Sequence, residues 1–90
     1  MKKVKFANRF KRELKLMQKR GKNFNKFVEV MRLFEFEVRL PERLKDHQLQ
    51  GEFKDFRECH IEPDWLLIYR FLEGDVVFER TGTHSDLFKK

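Results

Sequence analysis

Ninety residues allow one domain and no second core, and a chain that is 14% aromatic, with eleven phenylalanines, is the opposite of a disordered composition. The net charge of +6 is uneven: residues 1–26 hold eleven Lys or Arg against one acid, Glu13, whereas residues 27–90 hold ten basic and fourteen acidic side chains. Such a basic region attracts phosphate backbones or acidic proteins, and no apolar run approaches the ~20 residues of a membrane span.

The lone Cys59 excludes an internal disulfide and fits a reducing compartment. Lys2, Lys3 and Lys5 alternate with Val4 and Phe6, unlike the apolar stretch of a secretory signal. A cytoplasmic protein is expected.

In chain order, Lys3-Val4-Lys5-Phe6 alternates polar and apolar residues and predicts a short strand with one buried face. Asn8 is placed to cap a helix in which Phe10, Leu14 and Met17 recur at helical spacing. Lys11, Arg12, Lys15 and Lys19 form a basic stripe on its other side. Gly21 suits the position just past its end. Asn23 or Asn25 starts a second helix with Phe24, Phe27, Val28, Met31 and Phe34 along its apolar face, which completes a helical hairpin.

Pro41 stops helix formation, residues 42–50 read as a polar loop carrying His47, and Gly51 is a turn point. From Phe53 the period changes to two, with Phe56, Glu58 and His60 on one face of a strand and Arg57, Cys59 and Ile61 on the other. Pro63-Asp64 makes a turn, residues 65–72 an apolar strand, Glu73-Gly74-Asp75 a hairpin turn, and residues 76–81 the last strand before a short tail. The sum is a single α+β domain over residues 1–90. A first strand and a helical hairpin pack on an antiparallel sheet that ends in a three-strand meander, with the first strand joining at its edge or its centre.

The three histidines, His47, His60 and His84, all lie in the second half, among Asp64, Trp65, Arg80 and Phe88. Histidine changes charge near physiological pH, so the set points to acid–base work, and with the basic first half it points to phosphodiester chemistry on nucleic acid. Taken singly, each residue also has a structural reading. A strand histidine satisfies a hydrogen bond, Trp65 fills core, Arg80 pairs with a carboxylate, and Phe88 pins the C-terminus. Cys59 and His60 are strand neighbours facing opposite ways, which argues against a nucleophile–base pair and leaves Cys59 a small buried hydrophobe. No pair has the close spacing of zinc ligands, so neither a metal nor a cofactor is expected.

Three stretches carry a resemblance: His47-Gln48-Leu49-Gln50-Gly51; Arg57-Glu58-Cys59-His60-Ile61-Glu62-Pro63-Asp64-Trp65-Leu66-Leu67-Ile68-Tyr69; and Arg80-Thr81-Gly82-Thr83-His84-Ser85-Asp86-Leu87-Phe88. In that order they resemble the YafQ branch of the RelE-type toxins, within the RelE/ParE superfamily, which are the toxin halves of bacterial type II toxin–antitoxin pairs. The resemblance implies a RelE-like fold and a ribosome-dependent mRNA endoribonuclease that inhibits translation by cutting messages in the decoding site.

It also implies that His47, His60, Asp64, Trp65, His84 and Phe88 carry the activity. Glu58 departs from the pattern, since a relative carries Asp there, and two lysines follow Phe88. The implied partners are a cognate acidic antitoxin of the DinJ-like kind, the ribosome and mRNA, with operator DNA bound only through the antitoxin complex.

The expected roles follow from the chemistry of each residue. His84 is the principal acid–base group, with His60 and His47 complementing it and Asp64 orienting a histidine. Arg80 neutralises the scissile phosphate, and Trp65 and Phe88 supply flat faces for a base. Lys11 and Lys15 belong to the basic stripe that meets RNA or the antitoxin. The rival readings are a non-catalytic RNA- or ribosome-binding module and an antitoxin-dependent transcriptional co-repressor.

Overall fold

The first strand, β1 (Val4–Phe6), runs directly into α1 (Asn8–Lys19), and the helical hairpin is completed by α2 (Phe24–Glu35). The coordinates are a computed structural model that describes residues 2–88. Helix α1 starts one residue earlier than the sequence suggests: Ala7 holds the capping position without a side-chain bond, and Asn8 lies inside the first turn. Gly21 takes a left-handed φ of +87° just beyond its end, a conformation that favours glycine. The Asn23 side chain then accepts the backbone N–H of Asn25 at 3.0 Å and caps α2.

After Pro41 and a turn of 3-10 helix come β2 (His47–Gln48), β3 (Arg57–Glu62), β4 (Trp65–Leu72), β5 (Asp75–Gly82) and α3 (His84–Phe88). The five-stranded sheet has the order β1-β5-β4-β3-β2. Strand β1 takes the edge beside β5 and runs parallel to it, so the sheet is mixed, while the β3–β4–β5 meander is antiparallel. The α+β class and the meander are as expected. The polar loop, however, contains an edge strand that pairs His47 with Glu58, and the tail after Gly82 is a short helix.

Both helices cover one face of the sheet. There Phe10 and Met17 of α1 and Phe27, Val30 and Phe34 of α2 bury themselves against Cys59, Ile61, Trp65, Leu67, Tyr69 and Phe78. Val30 joins the buried face of α2, while Phe24 lies at its rim, 40% exposed. The opposite face has only a small apolar patch of Leu66, Ile68 and Leu87, flanked by Leu49 and Phe56. It is otherwise open, and it carries the polar residues of β3.

Glu13, the single acid among residues 1–26, has a structural task. It accepts Nη2 and Nε of Arg80 at 2.7 and 3.2 Å and the backbone N–H of Thr81 at 3.2 Å. Strand β1 ends opposite Phe78, so this carboxylate takes up a β5 donor that β1 does not reach. No helix among the described residues is long and apolar enough to cross a membrane.

Candidate active site

Three elements bring the histidines onto the open face. His60 stands two residues from Glu58 on β3, on the same side of the strand, and β2 sets His47 directly across from Glu58. Helix α3 begins at His84, beside the β3–β4 turn that carries Asp64. The rings of His47 and His60 lie 6.5 Å apart and those of His60 and His84 5.7 Å apart, centroid to centroid, so the three form a row.

Each ring is anchored through Nδ1. His47 Nδ1 is 2.8 Å from the Lys45 carbonyl oxygen and His60 Nδ1 is 3.3 Å from that of Pro63. A carbonyl oxygen only accepts, so the proton on these rings sits on Nδ1 and leaves Nε2 available to take up or release another. His84 Nδ1 lies 2.5 Å from Asp64 Oδ1, which also accepts the His84 backbone N–H at 2.9 Å. These two contacts, the backbone one first, hold the Asp64 carboxyl below the usual carboxylate range.

Glu58 links the first two histidines. Its Oε1 lies 3.5 Å from His47 Nε2 and 3.6 Å from His60 Nε2, within ion-pair reach but long for hydrogen bonds. The residue is only 5% exposed, and among the described residues its buried Oε2 has no hydrogen-bond partner. Its position was readable from the alternation of β3, but a carboxylate on a half-buried strand looks like a surface residue. The neighbouring Asp46 fixes the approach to β2: it accepts Arg57 Nη2 at 2.8 Å and the Tyr69 hydroxyl, tying the chain just before His47 to the sheet.

Helix α3 is held as firmly. Asp86 Oδ2 accepts the Thr83 N–H at 2.9 Å, while Thr83 Oγ1 accepts the Asp86 N–H at 3.2 Å, a reciprocal cap. Arg20, at the end of α1, grips both Asp86 oxygens at 2.7 and 3.1 Å. That pairing comes first among the causes that bring the Asp86 carboxyl down to about 2. Gly82 makes the tight return possible, since a Cβ there would stand 2.9 Å from that of Asp86.

Two expectations are corrected. Trp65 is fully buried in the helical-face core, where its Nε1 donates to Thr81 Oγ1 at 2.8 Å, so it offers no face to a base. Arg80 is bound through Nε and Nη2 to Glu13, so it is not the free phosphate clamp that its position suggested. Lys11 and Lys15 are exposed on α1, in the helical layer, and are not brought together with the histidine row. Phe88 is 40% exposed at the end of α3, on the histidine side of the sheet. The groups assembled at one place are therefore His47, Glu58, His60, Asp64 and His84. Three imidazoles and two carboxylates side by side are side chains of the kind that accept and donate protons.

The chain is of one class with the bacterial toxins of type II toxin–antitoxin systems. The profile of the YafQ toxins of that class matches residues 2–89, and the chain belongs to that family. It is similar to the mRNA interferase toxin YafQ of Escherichia coli K12, with 43% identity over 86 residues and 94% of each chain covered. Similarity extends to a putative toxin YafQ of Haemophilus influenzae, 34% identical over 90 residues, covering 92% of this chain and 88% of that one. The fold matches a chain of the Escherichia coli DinJ–YafQ complex with a TM-score of 0.88 and 42% identity, covering 98% of this chain and 99% of that one.

Proposed function

We propose that this chain is the toxin of a type II toxin–antitoxin pair, an endoribonuclease that cuts mRNA on the ribosome and so inhibits translation. The observation that carries the reading is the row His47–His60–His84, each ring fixed through Nδ1. Family membership supports it, because the Escherichia coli relative is an mRNA interferase.

RNA supplies its own nucleophile. A neutral imidazole takes the proton of a 2′-hydroxyl, and the oxygen forms a bond to the adjacent phosphorus. The bond from phosphorus to the 5′-oxygen breaks, and a charged imidazole gives that oxygen its proton. The products are a 2′,3′-cyclic phosphate and a 5′-hydroxyl. Each well-placed acid or base contributes on the order of 10²–10⁴-fold.

His84 is the principal group, its ring oriented by Asp64. His60, in the middle of the row, is the complementary group, and His47 contacts the phosphate. Glu58, between them, lies within ion-pair reach of both. The action is cytoplasmic, where ribosomes and messages are. The exposed basic stripe of α1, with Lys11 and Lys15, meets ribosomal RNA or an acidic DinJ-like antitoxin, and operator DNA is reached through that antitoxin.

The test maps mRNA ends in cells that express the native chain or His84→Ala. Discrete cuts that fall by about 10²–10⁴-fold in the variant support the nuclease and the role of His84. A folded native chain that makes no cuts refutes the nuclease, and cuts that persist undiminished in the variant remove His84 from the mechanism.

A further inference from the structure

The open face has a second feature beside the histidines, a groove of about 330 Å³. Its walls are Leu49, Phe53, Phe56, Ile68, Leu87 and Phe88, with Arg9 and Arg80 among the residues at its rim. The size sits at the lower end of small-ligand sites. We propose that this groove holds an unstacked base of the message, one nucleotide from the bond that is cut. The proposal rests on the nuclease reading above and adds a binding subsite to it.

Five of the six walls adjoin an element of the histidine row, and Phe53 ends the 3-10 turn Gly51–Phe53 between β2 and β3. Leu49 follows β2, which carries His47, and Phe56 immediately precedes β3, which carries Glu58 and His60. Leu87 and Phe88 belong to α3, which begins with His84, while Ile68 stands directly across from Glu58. A message whose scissile phosphate lies at the histidines must lay its neighbouring nucleotides across this face.

The surface suits a base. Phe53 is 54% exposed and Phe88 40% exposed, and both line the groove together with Phe56. Aromatic faces hold unstacked bases with little regard to sequence. The rim suits the phosphates that accompany a base. Arg9, at 3.8 Å, and Arg80, at 2.7 Å, share the single carboxylate of Glu13, which leaves one positive charge over, while Glu79, also lining the groove, is paired at 2.6 Å with Arg70, whose guanidinium lies 5.3 Å from the centre of the Phe56 ring. The groove therefore takes the place that the sequence assigned to Trp65.

The experiment measures cleavage of message on programmed ribosomes by the native chain, Phe53→Ala and Phe53→Trp, with the melting temperature of each and its affinity for the antitoxin. Phe53 is half exposed, so its replacement leaves the fold standing. Stacking predicts that Phe53→Ala cuts about ten-fold less efficiently at low message concentration, across all sequences, and that Phe53→Trp restores the native rate. Equal cleavage by Phe53→Ala overturns the proposal, as does a loss that tryptophan does not repair. Unchanged cleavage with weakened antitoxin binding overturns it too and assigns the groove to the antitoxin. A native chain that cuts nothing overturns the nuclease reading and the groove together. That outcome is distinct from a native chain that cuts while Phe53→Ala cuts equally well, which sinks the groove alone.

Discussion

On the helical side of the sheet, Phe78 meets the rings of Phe10, Phe27 and Phe34 at 5.5, 6.0 and 5.2 Å, and the ionisable Cys59 and Tyr69 are held neutral because burial pushes both well up. On the other side, alternate residues of the same strands present Glu58 and His60, with a far smaller apolar patch beside them. On β3, stability and chemistry are thus carried by alternating positions one residue apart. Because a strand's side chains alternate strictly, the chain can densely pack one face while leaving the other polar and reachable.

This separation is open to attack from either side. Phe78→Ala leaves a cavity at the centre of the ring cluster and should cost about 3–5 kcal/mol, read as a lower denaturant midpoint. The fraction that remains folded should keep its cleavage chemistry. His84→Ala should do the reverse: cleavage falls by about 10²–10⁴-fold while unfolding shifts by no more than ~0.5 kcal/mol, since the side chain is exposed. A folded His84→Ala protein that has lost several kcal/mol would break the distinction between the faces.

Arg20 is the informative exception, because it ties α1 in the helical layer to α3 at the active face. Arg20→Ala removes a solvent-screened ion pair, so cleavage should fall by no more than about five-fold with little loss of stability. Kinetics on a thermally normal variant would show that. The smallest effect concerns acid. The Asp86 carboxyl is lowered to about 2, so its contribution to stability is complete above about pH 4 and is lost as pH falls through about 2. Melting curves between pH 7 and pH 2 should show this loss in the native chain and its absence in Asp86→Asn.

The helical face was almost entirely legible in the sequence, the open face much less so. β4 could be placed at its observed ends because a near-continuous apolar run lies between Pro63-Asp64 and Glu73-Gly74. Helix α3, at five residues, is too short to display a period, and β2, at two, cannot show alternation. The histidines were visible as residue types, but their partners were not. The Arg20–Asp86 and Glu13–Arg80 pairs join positions 66 and 67 residues apart, and nothing local announces them. Trp65 misled for a related reason: an amphipathic ring serves core and surface equally well, and only the hydroxyl of Thr81 decides between them.

The short borders of the sheet have a further consequence. One edge, β1, is three residues long and the other, β2, is two, and where β5 runs on beyond β1 its Thr81 N–H is already taken by Glu13. An unpaired edge is a template on which a second chain can add a strand, and long, flat, apolar edges are the ones that seed fibres. This sheet offers an incoming strand only a few free backbone groups, and on one border it meets a carboxylate first. Protection against self-templated aggregation is therefore built into the same acidic residue that looked out of place in a basic helix.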